Sequence, residues 1–298
     1  MEGQSAMTTT AVRPSVTQEQ LVCDLRRLGV APGQVLLVHA SLKSLGWVAG
    51  GAPAVVSALR AVVGPDGHVV VPTGTEANSN TSRVHRARIA TMTPEDAARY
   101  EQSMLAFDTE RTPSGMGAIS EALRMAAGAI RSDHPQSSFA AIGPRAGYLM
   151  AGHPLECHLG PQSPLGKLLA ENAQVLMMGV GFETFTGFHL AEYTYTLHPP
   201  MRKYACVLPD GGGGDGHWEY YEDVVLDDQE FEVIGKSLEE FPRGMVPIKH
   251  GEVGHARCRL VPLRPAVKFA EEWLVKHRGT SPALMRGRNL LQTHLRLI

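Results

Sequence analysis

Three short apolar runs, Val35-Leu-Leu-Val38, Val69-Val-Val71 and Val175-Leu-Met-Met178, limit most strongly how this chain can fold. A strand with one solvated face alternates apolar and polar side chains, whereas one that is apolar at every position is covered on both faces. Residues 17–28 carry Leu21, Leu25 and Leu28 at helical spacing and end at Gly29 and Pro32-Gly33. Residues 53–63 read as a second helix with proline in its first turn, and Pro65-Asp-Gly67 as a turn. Helix, strand, helix, strand with short links predicts an α/β fold, a layered mixed sheet with helices on both faces.

The rhythm breaks at residues 74–112, a long polar insertion with room for at most one short helix, near residues 94–105. Loops of that length in compact domains are usually lids or binding loops. A helix follows over residues 114–127. Residues 203–208 and 217–221 read as a hairpin whose tip holds the glycines 211–214. Neither flank of that tip is a helix start, which excludes a phosphate loop. A helix over 229–241, two short strands up to residue 260 and a helix over 265–276 complete one domain, assigned to residues 16–277. Residues 1–15 read as a disordered lead without a secretory apolar core, and residues 278–298 as a mildly basic tail.

A net charge of −2 gives no sign of a nucleic-acid surface, and the apolar content is too interrupted for a membrane span. Cys23, Cys157, Cys206 and Cys258 lie far apart, which fits a reduced, cytoplasmic protein better than a disulfide framework. No H-E-x-x-H occurs among the 13 histidines, so no metal is expected.

The segment with most chemistry is Gly181-Phe-Glu-Thr-Phe-Thr186-Gly-Phe-His189-Leu-Ala-Glu192, which follows a buried strand and opens into a helix. Its histidine and glutamate, three apart, share one helical face, and a histidine beside a carboxylate has the makings of an oriented general base. The strand ending Val38-His39-Ala-Ser41-Leu-Lys43-Ser44 delivers hydroxyls and amides to a sheet edge. Residues 131–143 set polar groups against an apolar strand, and Ser163-Pro164 caps and starts a helix, which needs no ligand to explain it. Two near matches fail. Arg26-Arg-Leu-Gly29-Val-Ala31 ends a helix instead of opening one, and Gly160–Lys167 has one residue too many for a Walker loop and Leu where Ser or Thr is needed.

Taken in order, several segments resemble the aminoglycoside 3-N-acetyltransferase family, the antibiotic N-acetyltransferases distinct from the common acetyltransferase fold. The resemblance spans about residues 17–276 and rests on Leu37-Val-His39-Ala-Ser41, Pro113-Ser-Gly-Met-Gly-Ala-Ile-Ser-Glu121, Arg131-Ser-Asp-His-Pro135, Ser163-Pro-Leu-Gly-Lys167, Thr186-Gly-Phe-His189-Leu-Ala-Glu192 and Gly251-Glu-Val-Gly254. It implies acetyl transfer from acetyl-CoA to an aminoglycoside amine, with His189 as base and Glu192 or Asp223 orienting it. It further implies that His39, Ser41, Leu42, Lys43, Ser44, Ser132, His134, Ser137, Ser138, Phe139, Ser163, Lys167 and Thr186 hold the coenzyme. Carboxylates for a polycationic acceptor are expected from Glu76, Asp108, Glu222 and Asp223, in a monomer or homodimer. The alternatives are an acyltransferase of this fold acting on another amine, and a coenzyme A-binding protein without turnover.

Overall fold

The computed structural model describes residues 15–75, 78–210, 216–240 and 246–279. The lead 1–14, Glu76, the glycines 211–214 and residues 280–298, on all of which expectations fell, lie outside the described residues.

The chain enters through α1 (Gln18–Leu28), β1 (Val35–Ala40), α2 (Gly51–Val63) and β2 (His68–Pro72). The insertion carries α3 (Arg83–Ile89) and α4 (Pro94–Gln102). After it come α5 (Ala118–Arg124), β3 (Ile130–Arg131), β4 (Phe139–Ile142), α6 (Ala146–Met150), α7 (Pro164–Ala170) and β5 (Gln174–Met178). Two 3₁₀ turns, Phe182–Thr184 and Thr186–Phe188, lead into α8 (His189–Thr194). The hairpin β6 (Met201–Leu208) and β7 (His217–Val224), then α9 (Phe231–Glu240), β8 (Lys249–Val253), β9 (Ala256–Pro262) and α10 (Leu263–Arg278) close the fold.

Among the described residues seven strands form one mixed sheet in the order β3-β4-β2-β1-β5-β9-β8, and β6 pairs only with β7. The central strand β1 runs parallel to both neighbours, with Leu37 opposite Val70 on one side and Val175 on the other. The apolar runs are apolar at every position because their alternate residues enter different cores. Leu36, Val38, Val69, Val71, Leu176 and Met178 pack under α1, α2 and α5. Leu37, Val70, Val175 and Met177 pack under α6 to α10. Burying each such side chain contributes roughly 1.5–3 kcal/mol, so a charge at Leu37 would break the sheet's second face. Local signals set the ends: Thr17 caps α1 by accepting from Gln20 N at 3.2 Å, and Gly29 follows it at φ 102°.

The insertion differs from its expected shape by one element, since it holds two helices. Ser82 caps α3 and Thr93 caps α4, with Pro94 in its first turn. No apolar periodicity announced them, because α4 buries nothing and His85 is the buried side chain of α3. Asn78 ties the insertion to the hairpin: its Nδ2 donates to Val207 O at 3.1 Å, and its Oδ1 accepts from Val207 N at 3.0 Å.

Candidate active site

The carboxyl ends of β1, β2 and β5 open into a cavity of about 350 Å³, walled by Val38–Ala40, Pro72 and residues 136–139, and by Thr186, His189 and Phe231. Parallel strands whose connections leave in opposite directions create such a crevice at their carboxyl ends. A larger open groove, about 710 Å³, lies beside Arg60, Gly64 and Gly143 and contains none of these groups.

His189 reaches the cavity because Gly179, at φ +67°, turns the chain sharply off β5, where Ser44 Cβ lies 2.3 Å from the position an added Cβ would take. Stacked Phe182, Phe185 and Phe188 then anchor the two 3₁₀ turns in the core. The ring of Phe231 meets His189 edge-on at 4.6 Å. His189 Nδ1 donates to Glu192 Oε2 at 2.7 Å, and Glu192 is 1% exposed. The other carboxylate oxygen, Oε1, accepts from Arg278 at 2.7 Å and from Asp227 N at 3.0 Å. With Nδ1 spent on the carboxylate, Nε2 is the nitrogen left for the cavity.

A second imidazole lines the same wall. Alternation along β1 puts His39 on the face of Leu37, and its Nε2 is buried without a hydrogen-bond partner. Burial pushes its pKa down to about 4, so it is neutral at neutral pH. A buried polar atom left unsatisfied needs an explanation, and at the cavity wall a ligand is one that fits.

Asp223 lies elsewhere. Position along β7 turns Tyr221 and Asp223 inward and Glu222 outward. Asp223 Oδ2 accepts from His158 N and Nδ1, both at 2.7 Å, and from Tyr193 Oη at 2.6 Å. Glu192, not Asp223, is therefore the carboxylate on His189. His158 Nε2 is engaged as well, by Gln136 Oε1 at 2.7 Å. Gln136 Nε2 donates to Ala205 O at 2.9 Å, which fixes the amide orientation.

Of the residues expected at the coenzyme, His39, Ser137, Ser138, Phe139 and Thr186 line the cavity, and the rest do not. Ser41 caps the turn Leu42–Leu45 by accepting from Ser44 N, Ser44 Oγ reaches Gly179 O at 3.1 Å, and Lys43 is exposed. Ser132 bridges His153 Nδ1 and Phe139 N. His134 Nδ1 accepts from the N–H groups of Gln136 and Ser137, and its Nε2 donates to Leu155 O. Ser163 caps α7, and Lys167 Nζ donates to Tyr148 O. Lys43 apart, these polar groups shape the loops around the cavity, since they bond within the protein. Asp108 accepts from Glu110 N and Arg111 N in a surface turn, and Glu222 is exposed, so neither enters the cavity. The carboxylates on its wall are Glu183 and Asp228. Glu183 stood in the segment singled out for its chemistry, but nothing local in the sequence separated it, or Asp228, from their neighbours. His158, Tyr193 and Arg278 escaped notice because their partners are distant in the chain.

An α/β chain with a ligand crevice at its strand ends and an oriented histidine in the wall defines a broad class of enzymes. Comparison with known proteins narrows it. The sequence profile described as aminoglycoside 3-N-acetyltransferase matches residues 37–275. The chain is 36% identical to the SPbeta prophage-derived aminoglycoside N(3')-acetyltransferase-like protein YokD of Bacillus subtilis, covering 88% of this chain and 93% of that one. It is 33% identical to an aminoglycoside N(3)-acetyltransferase III of Salmonella sp, covering 89% and 94%. The crystal structure of YokD superposes with a TM-score of 0.81 at 34% identity, covering 91% and 97%. A structure of AAC-IIIb as a binary complex with CoASH superposes at 0.76 and 28% identity, covering 90% and 99%. The chain belongs to the aminoglycoside 3-N-acetyltransferase family, whose members are acyltransferases.

Proposed function

We propose that the protein moves the acetyl group of acetyl-CoA directly onto an amine of an aminoglycoside, the 3-amino group, with His189 as general base. The observation that carries this reading is the His189–Glu192 pair, closed at 2.7 Å on the buried side and set in the cavity wall. An alkylammonium has no lone pair for attack until it loses a proton. His189 Nε2 takes that proton, while Glu192 holds the ring in the required tautomer and offsets its positive charge. His39 supports the other end of the reaction as a neutral donor, suited to a carbonyl oxygen that gains negative charge. Acetyl-CoA supplies the activated acyl group. A cavity of about 350 Å³ suits the acetyl and amine ends, leaving the nucleotide of the coenzyme outside. Glu183 and Asp228 give the wall the negative charge that a polycationic acceptor favours.

Thiol release from acetyl-CoA, followed across kanamycin-, gentamicin- and apramycin-type acceptors and neutral amines, tests the proposal. We expect turnover with aminoglycosides, acetylation at the 3-amino group by NMR, and a KM that rises with ionic strength. Turnover of neutral amines alone, without salt dependence, would assign the enzyme another acceptor. An acetylated protein accumulating without acceptor would rule out direct transfer.

A further inference from the structure

Arg278 is the last residue of α10, although its sequence placed it in the tail, and it is the cation that meets the carboxylate of the His189–Glu192 pair. We infer that Arg278 is a positioning residue that sets the basicity of His189 through Glu192; the inference rests on His189 acting as the base. The guanidinium is held by one cluster. Its Nη1 donates to Glu192 Oε1 at 2.7 Å, its Nε to Glu230 Oε2 at 2.6 Å and its Nη2 to Asp227 O at 3.0 Å. Asp227 Oδ2 lies 4.0 Å away. The side chain is 12% exposed and that of Glu192 is 1% exposed, so water screens their interaction little.

Glu192 thus divides its two oxygens between a permanent cation and a titrating one. An isolated buried carboxylate at 2.7 Å would favour the imidazolium strongly and make the proton hard to release in the next turnover. A guanidinium on the opposite oxygen withdraws part of that field. It also fixes the carboxylate, with Asp227 N, so that Oε2 stays on Nδ1. Arg278 is well matched to this: burial opposes its charge, yet Glu192 and Glu230 hold it above the ordinary guanidinium value. The other groups facing His189 are the ring of Phe231 from α9, Asp228 and Glu183 on the cavity wall, and neutral His39 from β1. Lysine is a poor equivalent, since its ammonium has no planar fork to hold three acceptors in fixed directions.

The test is the titration of His189, followed by NMR of ring-labelled histidine beside the pH profile of kcat/KM. Removing the cation in Arg278→Gln should raise the His189 titration, and with it the acidic limb of the profile, by about half to one pH unit. Arg278→Lys should restore most of the shift even where it restores stability poorly. Glu230→Gln leaves Arg278 in place and removes a negative charge, so it should move the titration the other way. It keeps the test decisive if Arg278→Gln does not fold. A His189 titration that stays put or moves against these signs overturns the inference. If the NMR titration shifts as expected while the kcat/KM profile does not, the coupling stands and His189 is not the base.

Discussion

Among the described residues two histidine–carboxylate pairs have nearly equal geometry, and the proposed function gives them opposite uses. His189–Glu192 and His158–Asp223 are both closed through Nδ1 at 2.7 Å, and both carboxylates are 1% exposed. They differ at the far nitrogen. That of His158 is held by Gln136, whose amide is held in turn by the carbonyl of Ala205. The pair is a closed knot that joins β7, the loop after α6 and the strand-end segment 136–139. The far nitrogen of His189 has a cavity in front of it. Proximity of acid and imidazole makes a strong structural contact in both cases. Reactivity needs one more thing, a ring edge left unsatisfied where a ligand can arrive. Tyr193, one residue beyond Glu192, donates to Asp223 at 2.6 Å, so α8 anchors the working pair on the fixed one.

Truncating the working pair should have the largest effect on rate. His189→Ala is expected to lower kcat by about 10²–10⁴. Calorimetry should show coenzyme A affinity within a few-fold of wild type and a smaller loss of melting temperature than in Asp223→Asn, because Arg278 and Asp227 N still hold the Glu192 carboxylate. If more than about a tenth of the turnover survives, His189 belongs with His158 as a structural histidine and the contrast collapses.

The fixed pair should respond in the opposite currency. Asp223→Asn replaces the charged acceptor shared by the His158 ring, the His158 amide and Tyr193 with a neutral amide whose NH2 must face either these donors or Val224 N, and breaking a buried pair costs about 3–5 kcal/mol. Urea unfolding should register that loss, while the protein that remains folded keeps kcat within about ten-fold of wild type. An unchanged unfolding midpoint with kcat lost would place Asp223 in the chemistry after all.

The smallest effect sharpens the comparison by pH. Burial pushes His39 and His153 down to about 4 and His134 well below its ordinary value. For His134 and His153 the hydrogen bonds agree, since one ring nitrogen accepts and the other donates. The unfolded chain binds protons at these rings near pH 6.5 and the native protein does not. Their contribution is therefore full above about pH 6.5 and declines as pH falls toward 4, by at most about 1.4 kcal/mol per pH unit for each ring. Denaturation midpoints at pH 7 and pH 5 check the sign, and greater stability at pH 5 would contradict it.

The sheet was legible because its evidence is local. Apolar runs of three or four residues bounded by turns leave a strand few alternatives, and Gly29, Pro65 and Gly67 mark the ends between them. The pair at positions 189 and 192 was legible for the same reason, since one helical turn joins its members. Asp223 was not. The expected strand ended at residue 221, two short of Asp223, whereas β7 runs on to Val224, and the partner of Asp223 lies 65 positions earlier in a loop with no pattern of its own. The segments flanking the cavity were found for their polar groups, yet most of those groups, such as Ser132, His134 and Ser163, are spent on holding loops. A sequence shows that hydroxyls and imidazoles are present; whether they are already satisfied is decided by packing.

Arg278 stands 86 positions after the carboxylate it meets. Between them the chain must lay down a hairpin, a helix and two strands, and then dock the helix that ends in the guanidinium. The order of synthesis therefore makes this contact one of the last to form. Until α10 docks, the Glu192 carboxylate lacks its Arg278 countercharge. The far end of α10 thus ties the countercharge of the pair to the docking of the last described helix, so loss of that helix end should shift the pH at which the pair works.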